Sequence, residues 1–461
     1  MTGPAGAPEE AAAAVETHVS TLFFLRDRVY KLCKPVSLGF LDYSTRERRL
    51  EACRREVELN RRLAPDVYLG VYTVLDDAGA PCEHLVAMRR MPADRRLTAL
   101  LDTPEAADRV RDTARALAAF HAGAARTALA RDAAEAASLR ALWADNAAEL
   151  ARHPQAASAA ELVRAERLAG RYLDGRAGLL AERAARGLAV DGHGDLLADD
   201  IFCLPDGPRL LDCLAFDDRL RAGDVLLDAA FLAMDLERLG RADLAAAFLD
   251  WYREFSGERH PRSLADHFVA YRAQVRAKVA AIRAAQAGSG AGAGAGGAAW
   301  AAASSLHRLC LGHLEAARVR LVLVGGAPGV GKSTVAEALG RATGWAVLRS
   351  DEIRKELLGV DRLADLSAPL GQGAYRPETT VRTYQELARR AGALAARGES
   401  AILDASWLDP VRRAELAAAA EAAAADLVEL QVQAPPALAA ARIRARRAAG
   451  GDPSDATEEV A

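Results

Sequence analysis

The residues best suited to chemistry lie in the last third of the chain, where the sequence reads GAPGVGKS at 326–333. Glycines in such a loop let backbone N–H groups close on phosphate oxygens, because no Cβ obstructs the approach. The lysine that follows can reach the β- and γ-phosphates of a nucleotide, and the adjacent hydroxyl can ligate magnesium. The predicted nucleotide-binding residues are Gly326, Gly329, Gly331, Lys332, Ser333 and Thr334.

The flanking sequence places this loop between a strand and a helix. Residues 319–324 form a continuous apolar run, and TVAEALGRAT continues after Ser333 as an amphipathic helix. The positive end of that helix would face the same anion as the loop amides. Lysine is rare in this arginine-rich chain, since it occurs only at 31, 34, 278, 332 and 355. A chance Gly-Lys-Ser is therefore improbable, and the pattern predicts a Walker A loop.

Two acidic residues follow later strands of the same segment. Residues 345–348 read as a strand leading to Asp351, and residues 401–403 read as a strand ending in Asp404. Carboxyl ends of parallel strands meet at one edge of a sheet, so both side chains are expected near the γ-phosphate. Asp351 suits the base for an acceptor hydroxyl, Arg354 suits an anion on the acceptor, and Asp404 is predicted to orient magnesium.

A basic helix is predicted near the end of the chain, at 438–449, after a strand at 427–432. Arg442 and Arg446 are four residues apart and share one helix face. Residues 318–455 resemble small P-loop kinases related to gluconate kinase, polynucleotide kinase and chloramphenicol phosphotransferase. The resemblance implies an adenylate-kinase-like parallel sheet and a lid whose arginines stabilise the transferring charge. Such kinases continue past the lid into another strand and helix. No apolar run follows the basic helix in this sequence, so the segment is expected to stop early.

A second set of carboxylates lies between 193 and 212. The sequence His193-Gly194-Asp195 is followed by Asp200 and, after a strand pair, by Asp212. Magnesium-dependent phosphoryl transfer needs one carboxylate to orient the acceptor hydroxyl and oxygen ligands for the metal on the ATP phosphates. These three aspartates are of the required type, and they fall on loops or strand ends.

At these residues the sequence resembles the aminoglycoside phosphotransferase-like branch of the protein-kinase fold, over most of residues 15–285. The resemblance implies that Asp195 is the catalytic base and that Asp200 and Asp212 bind magnesium. It also implies structural roles for Asp224 and Asp228 in the later G-D-x-x-x-D stretch.

The nucleotide-facing lysine of this segment is expected on the strand after the first hairpin. Lys31 and Lys34 are three residues apart and point to opposite faces of a regular strand. Lys31 is favoured because VYK ends an apolar strand, as the kinase pattern V-A-I-K does. Its partner on the following helix is predicted to be Glu56, with Glu58 as the alternative.

Two departures from the kinase pattern support an alternative function. Asp200 occupies a position usually held by Asn, and the first hairpin carries Ser20 and Thr21 where a phosphate loop would carry glycines. The alternative is a pseudokinase binding module joined to a P-loop ATPase that acts as a switch or toxin-like regulator.

The elements that must position these residues fall into two segments. Residues 1–285 read as an α+β, protein-kinase-like domain, with a small β-rich lobe leading into a helical one. The Gly/Ala-rich stretch 286–299 is predicted to be a linker, because it has no apolar period and high backbone freedom. Residues 300–461 then read as an α/β P-loop domain with a parallel sheet. Its predicted cofactors are ATP and Mg²⁺.

Composition excludes several other classes. The 461 residues are 51% hydrophobic and 27% charged, with 60 basic and 63 acidic side chains. This balance fits a soluble globular chain without a global basic field, so nucleic acid is expected only as a kinase substrate. The N-terminus does not resemble a secretion signal, no membrane span is predicted, and six scattered cysteines are typical of a reducing cytoplasm. Neither the hydroxyl-bearing acceptor nor the oligomeric state follows from the sequence.

Overall fold

The computed structural model describes residues 13–17, 19–38, 41–288, 293–366 and 372–449. The strands are β1 (Ala13–Glu16), β2 (Ser20–Leu25), β3 (Arg28–Cys33), β4 (Ser37–Leu38), β5 (Leu41–Asp42), β6 (Tyr68–Leu75), β7 (Pro81–Arg89), β8 (Ala189–Asp191), β9 (Ile201–Leu204), β10 (Gly207–Leu210), β11 (Ala222–Asp224), β12 (Arg320–Gly325), β13 (Ala346–Arg349), β14 (Ala401–Asp404) and β15 (Asp426–Gln431).

The α-helices are α1 (Arg46–Asn60), α2 (Leu97–Leu100), α3 (Ala106–Gly123), α4 (Ala128–Ala133), α5 (Ala136–Leu150), α6 (Ala159–Ala185), α7 (Asp218–Arg221), α8 (Val225–Arg238), α9 (Ala242–Ser256), α10 (Arg262–Gly288), α11 (Ala293–Ala316), α12 (Lys332–Thr343), α13 (Ser350–Leu358), α14 (Pro377–Ala396), α15 (Pro410–Ala422) and α16 (Pro436–Ala449). Short 3-10 helices lie at Ala93–Arg95, Ala198–Asp200 and Gly373–Tyr375. Within the described ranges, no helix combines the length and apolar character needed to span a bilayer.

The chain divides into two compact units, of which the first comprises Met1–Ser138, Arg183–Arg259 and Tyr271–Arg276. Its β-rich part is an antiparallel sheet in the order β1-β2-β3-β7-β6. Helix α1 packs on β6 and β7. The α1 residues Cys53 and Val57 are buried against the sheet, where they share a core with neighbours on β3 and β7. This packing fixes the helix beside the strand that carries Lys31.

The helical part of the first unit holds the His193–Asp195 loop. Helix α8 is buried along nearly its whole length and packs on α9, which in turn packs on α3. The loop follows β8 and leads into the β9–β10 hairpin, after which β11 returns antiparallel to β8. A β-rich lobe followed by a helical lobe with this hairpin confirms the predicted kinase-like fold class of the N-terminal region.

The second unit comprises Leu139–Glu182, His260–Ala270 and Ala277–Ala461. Its described strands form a parallel sheet in the order β13-β14-β12-β15. In the middle of the sheet, Val322 of β12 pairs with Ile402 of β14 and Val428 of β15. Such a strand is covered on both faces, which explains why 319–324 read as a continuous apolar run. The parallel sheet confirms the predicted α/β fold class of the C-terminal region.

The predicted linker is helical where the structure describes it. Helix α10 extends to Gly288 and α11 begins at Ala293, so part of the predicted linker 286–299 is helix; residues 289–292 lie outside the described residues. Alanine's high helix propensity offsets the glycines here. The domain boundaries at 285 and 300 stay predictions, as does the early end of the P-loop segment, because residues 450–461 also lie outside the described part.

Candidate active sites

The Gly-rich loop of the second unit is held by close backbone contacts. A Cβ on Gly326 would lie 2.4 Å from the Val432 carbonyl oxygen, and a Cβ on Gly329 would lie 2.5 Å from the Ala439 carbonyl oxygen. Both glycines also have positive φ, at 141° and 80°. Only glycine fits these positions without displacing the segment after β15 or helix α16.

The residues after the loop begin α12. The Lys332 ammonium donates to the Ala327 carbonyl oxygen at 2.9 Å, so it bends back over the loop. The Ser333 hydroxyl lies close enough to the Asp404 carboxylate, at the end of β14, to lower the pKa of that carboxyl. Thr334, in contrast, is exposed. Two oxygen-bearing groups, Ser333 and Asp404, therefore meet beside the loop.

Asp404 is buried and surrounded by charge. Burial raises its pKa, and Asp351 in the first turn of α13 adds to this effect. The Ser333 hydroxyl and the charges of Arg349 and Lys332 act in the opposite direction. Arg349 Nε lies 3.4 Å from Asp404 Oδ2. The structure thus brings Asp351, Asp404, Lys332 and Ser333 together, as the strand ends predicted.

Arg354 contacts residues just before α14 and in its first turn. Its Nη1 donates to the Ala374 carbonyl oxygen at 3.3 Å and to Thr380 Oγ1 at 3.4 Å, and its guanidinium lies 4.5 Å from the ring centre of Tyr375. The side chain is only 5% exposed. Arg354 is thus anchored to the 3-10 helix Gly373–Tyr375 and to the first turn of α14, and contact with an acceptor stays a prediction.

The predicted lid helix lies against the loop. Arg442 Nη1 of α16 donates to the Val330 carbonyl oxygen at 2.9 Å, and Ile443 of the same helix is buried. Arg446 lies on α16 as well, but its side chain is outside the described part of the chain. A lid role for Arg442 stays a prediction.

Sequence reasoning missed the turn after β14. Trp407 has a left-handed φ of 52°, its Nε1 donates to the Leu403 carbonyl oxygen at 3.0 Å, and its ring meets Tyr384 edge-on. The Ser406 carbonyl oxygen accepts from the Gly326 N–H at 3.0 Å. This turn therefore buttresses the phosphate loop. Arg349, which neutralises Asp404, was also missed, although its place at a strand end next to Asp351 was a usable signal.

In the first unit the structure pairs Lys31 with Glu56. Lys31 Nζ lies 2.9 Å from Glu56 Oε1 and 3.8 Å from Asp212 Oδ1. Burial alone would lower the pKa of Lys31, but the charges of Glu56 and Asp212 outweigh it and raise that pKa well above its usual value. Lys34 instead binds Glu16, and Glu58 binds Arg55. Of the open alternatives, Lys31 and Glu56 are the two that meet.

The loop that carries Asp195 is ordered by a buried carboxylate. Asp228 accepts hydrogen bonds from the His193 N–H at 2.7 Å, from the Gly194 N–H at 2.8 Å and from His121 Nε2 at 3.0 Å. Burial would raise the pKa of Asp228, but these bonds and the neighbouring histidines hold it well below its usual range. Asp195 itself is partly exposed and lies 3.8 Å from Arg276 Nη1.

The three predicted carboxylates of this site influence one another. Burial raises the pKa of Asp200 well above its usual value, and the charges of Asp212 and Asp195 raise it further. A divalent cation would relieve this concentration of negative charge, so the residues fit one. No set of three or more His, Cys, Asp or Glu side chains in the described ranges is placed to hold a metal alone. Two carboxylates with phosphate oxygens are a common magnesium environment.

Comparisons with known proteins give a match to a domain family and matches to whole chains. Residues 321–461 match the profile of an AAA domain family. Uncharacterized proteins of Mycobacterium tuberculosis (strain H37Rv) and Mycobacterium bovis are each 40% identical over 450 residues, covering 97% of this chain and 88% of theirs.

Solved structures with a detectable likeness include a choline/ethanolamine kinase family protein from Mesorhizobium loti, at 14% identity and TM-score 0.39 over 67% of this chain and 94% of that one. A gluconokinase from Sinorhizobium meliloti matches at 23% identity and TM-score 0.20, over 29% of this chain and 69% of that one.

The fold and the two sites define a two-unit protein in which a kinase-like fold is joined to a P-loop domain. The chain belongs to the family of the mycobacterial proteins, with which it shares nearly its whole length.

Proposed function

We propose that the second unit transfers the γ-phosphoryl group of ATP to a hydroxyl of a small molecule or polynucleotide, in a magnesium-dependent reaction. The observation that carries the proposal is the Gly-rich loop between β12 and α12, with Ser333 in the first turn of α12 and Asp404 at the end of the neighbouring strand β14. It joins a phosphate-binding loop to a pair of oxygen ligands, which is the arrangement that ATP with magnesium requires.

The chain's own groups would hold the nucleotide. Amides of the loop and of the first turn of α12 bind phosphate oxygens, with the positive end of the helix dipole behind them. Lys332 exchanges the Ala327 carbonyl for the β- and γ-phosphates. Arg442, already beside Val330, would turn to the transferring group and stabilise its charge.

Magnesium fits the oxygen pair of Ser333 and Asp404. The buried carboxylate has a raised pKa, which a nearby cation would reverse. When bound, magnesium supplies positive charge at the β- and γ-phosphates. Ser333 would ligate it directly and Asp404 through water.

Asp351 is proposed as the base. The acceptor hydroxyl oxygen forms a bond to the γ-phosphorus, the bond to the β–γ bridging oxygen breaks, the hydroxyl proton passes to Asp351, and ADP leaves. Arg354 would bind an anionic group on the acceptor. Because the co-substrate is ATP, we place the reaction in the cytoplasm.

The first unit is proposed to be a second phosphotransferase site. Lys31, ordered by Glu56, would hold the α- and β-phosphates, and Asp212 with Asp200 would hold magnesium. Asp195 would accept the acceptor's proton once Arg276 releases it. The Arg276 contact also favours the alternative, a pseudokinase module that binds without transferring, because it occupies the carboxylate that would act as base.

Radiolabelled ATP and the full-length chain test both sites. Acceptors are sugars, aminoglycosides and 5′-hydroxyl oligonucleotides, and the variants are Lys332→Ala, Asp195→Asn and the matched surface control Lys34→Ala. We expect Lys332→Ala to slow labelling about 10²–10³-fold while Lys34→Ala leaves it unchanged. Labelling that depends only on Asp195 would assign the reaction to the first unit. Phosphate release without acceptor labelling would favour the ATPase switch.

A further inference from the structure

Asp212, a proposed magnesium ligand of the first unit, has an unusual backbone conformation. It lies two residues after the end of β10, and its φ is 61°, in the left-handed region that glycine favours. A residue other than glycine adopts this conformation at a cost in free energy, so its neighbours have to hold it there. The contacts that hold this turn therefore determine where the Asp212 carboxylate points.

Four consecutive backbone N–H groups of the 211–214 segment are all hydrogen-bonded. The first and the last donate to the carbonyl oxygens of Asp200 and His193, at 2.9 and 3.1 Å. The two N–H groups between them, those of Asp212 and Cys213, donate to side chains. The left-handed turn thus depends on two side chains from the part of the unit that contains α1 and β6.

Asn60, the last residue of α1, supplies the first of these acceptors. Its Oδ1 accepts from the Cys213 N–H at 2.8 Å, and its Nδ2 donates to the Glu56 carbonyl oxygen at 2.9 Å. The residue is 0% exposed. Burial of an amide is costly unless its polar atoms are paired, and here both ends of the amide are paired. One side chain thus joins the helix turn of Glu56 to the residue after Asp212.

Tyr68, the first residue of β6, supplies the second acceptor. Its buried hydroxyl oxygen accepts from the Asp212 N–H at 3.3 Å. Burial raises the pKa of Tyr68 well above its usual value, and the charges of Glu56 and Asp212 raise it further. The phenol is therefore neutral near pH 7. It binds the Asp212 amide without placing another negative charge beside the two carboxylates.

Asn60 also departs from the apolar pattern of its helix. Cys53, Val57 and Asn60 are four and three residues apart and are all buried on α1. Cys53 and Val57 pack in the apolar core beside the sheet, together with Tyr68. An apolar residue at position 60 would fill such a place without the desolvation of an amide. Departures from a consistent apolar pattern are typical of functional sites, which points to a role for the two hydrogen bonds of Asn60.

We infer that Asn60 and Tyr68 are positioning residues for the magnesium ligand Asp212. The inference rests on the phosphotransferase site proposed for the first unit. By holding the two central amides of the left-handed turn, these side chains keep the Asp212 carboxylate 3.8 Å from the Lys31 ammonium, where the nucleotide phosphates would lie. Loss of either hydrogen bond lets the turn relax and moves the carboxylate away from the metal. Both residues act through Asp212.

Binding of a non-hydrolysable ATP analogue to the full chain, measured with magnesium and again with EDTA, tests the inference. All proteins carry Lys332→Ala, so that the phosphate loop contributes little, and the ratio of the two affinities gives the contribution of magnesium. We expect this ratio to fall about 3- to 10-fold in Asn60→Leu and in Tyr68→Phe, since each loses one hydrogen bond to the turn. Tyr72→Phe is the matched control, because Tyr72 lies on the same strand but is 47% exposed, and its ratio should equal that of the parent.

The variant Asp212→Asn separates positioning from a general structural role. It removes the ligand's charge and most of the magnesium effect, so adding Asn60→Leu or Tyr68→Phe to it should change the ratio no further. An unchanged ratio in either single variant, or an equal fall in the Asp212→Asn background, would overturn the inference. If Asn60→Leu does not fold, Tyr68→Phe decides, because it removes only a hydroxyl. Binding without magnesium dependence in the Lys332→Ala parent would refute the metal site of the first unit, and the inference with it.

Discussion

The glycine at 329 offers a quantitative test of how the phosphate loop is built. In Gly329→Ala the new Cβ would lie 2.5 Å from the Ala439 carbonyl oxygen and 3.0 Å from Ile443 Cγ1. Ordinary contact begins at 3.4 Å, so α16 must retreat by roughly 0.9 Å. Because Arg442 binds the loop from that helix, the substitution should disturb the loop and the lid together.

Two costs add for this variant. A non-glycine residue at positive φ costs about 1–2 kcal/mol, and overpacking costs about 1–3 kcal/mol. Gly344→Ala is the matched control, because Gly344 has φ of 72° but nothing within 4 Å of its Cβ. We therefore expect the free energy of unfolding to fall by about 2–5 kcal/mol in Gly329→Ala and by about 1–2 kcal/mol in Gly344→Ala.

Urea unfolding and binding of a non-hydrolysable ATP analogue measure the two effects. If overpacking destabilises the nucleotide complex by the same roughly 1–3 kcal/mol, the affinity for the ATP analogue falls about 5- to 150-fold in Gly329→Ala. In Gly344→Ala that affinity stays within about twofold of the parent. Equal losses of stability and affinity in both variants would refute the reasoning, since the contact with α16 would then carry no energy.

Three further outcomes are expected. Lys31→Met should weaken nucleotide binding to the first unit, measured with Lys332→Ala as background, whereas Lys34→Met should not; equal affinities would contradict the pairing seen here. The folded-state pKa of Asp228 is depressed, so its stabilisation is complete above the ordinary carboxyl pKa of about 3.9 and is lost as the pH falls below it. Unfolding free energy should therefore decline more steeply below pH 4 in the parent than in Asp228→Asn, and parallel curves would count against this. Arg442→Lys should lower the labelling rate of the P-loop site more than it changes ATP affinity, and a change confined to affinity would show a binding role alone.

Local patterns were sufficient for much of the fold and for part of the sites. A continuous apolar strand followed by Gly-Lys-Ser fixed the phosphate loop, because this geometry tolerates few other residues. The choice of Lys31 followed from the resemblance of VYK to the kinase pattern, and the apolar stripe of the following helix then favoured Glu56 as its partner. Both depend on neighbours close in sequence or on regular elements.

Contacts between distant segments could not be predicted in this way. Trp407 supports the loop through a turn whose left-handed backbone has no glycine signal, and Arg176 is separated by 247 positions from the carbonyl that it binds. The Gly/Ala stretch was assigned as linker from composition, but alanine's helix propensity extends α11 into it. Tertiary packing decides such cases, and one sequence does not reveal it.

The approach of α6 to the turn after α15 limits how this protein can be dissected. A Cβ on Gly175 would lie 2.3 Å from the Ala423 carbonyl oxygen, so no larger residue fits there. Arg176 donates to the same carbonyl oxygen. A fragment that starts at residue 300 would lose this helix and leave the Ala423 and Ala424 carbonyl oxygens without their Arg176 donor. Cutting the chain near residue 290 would consequently separate residues 139–182 and 260–270 from the rest of the second unit.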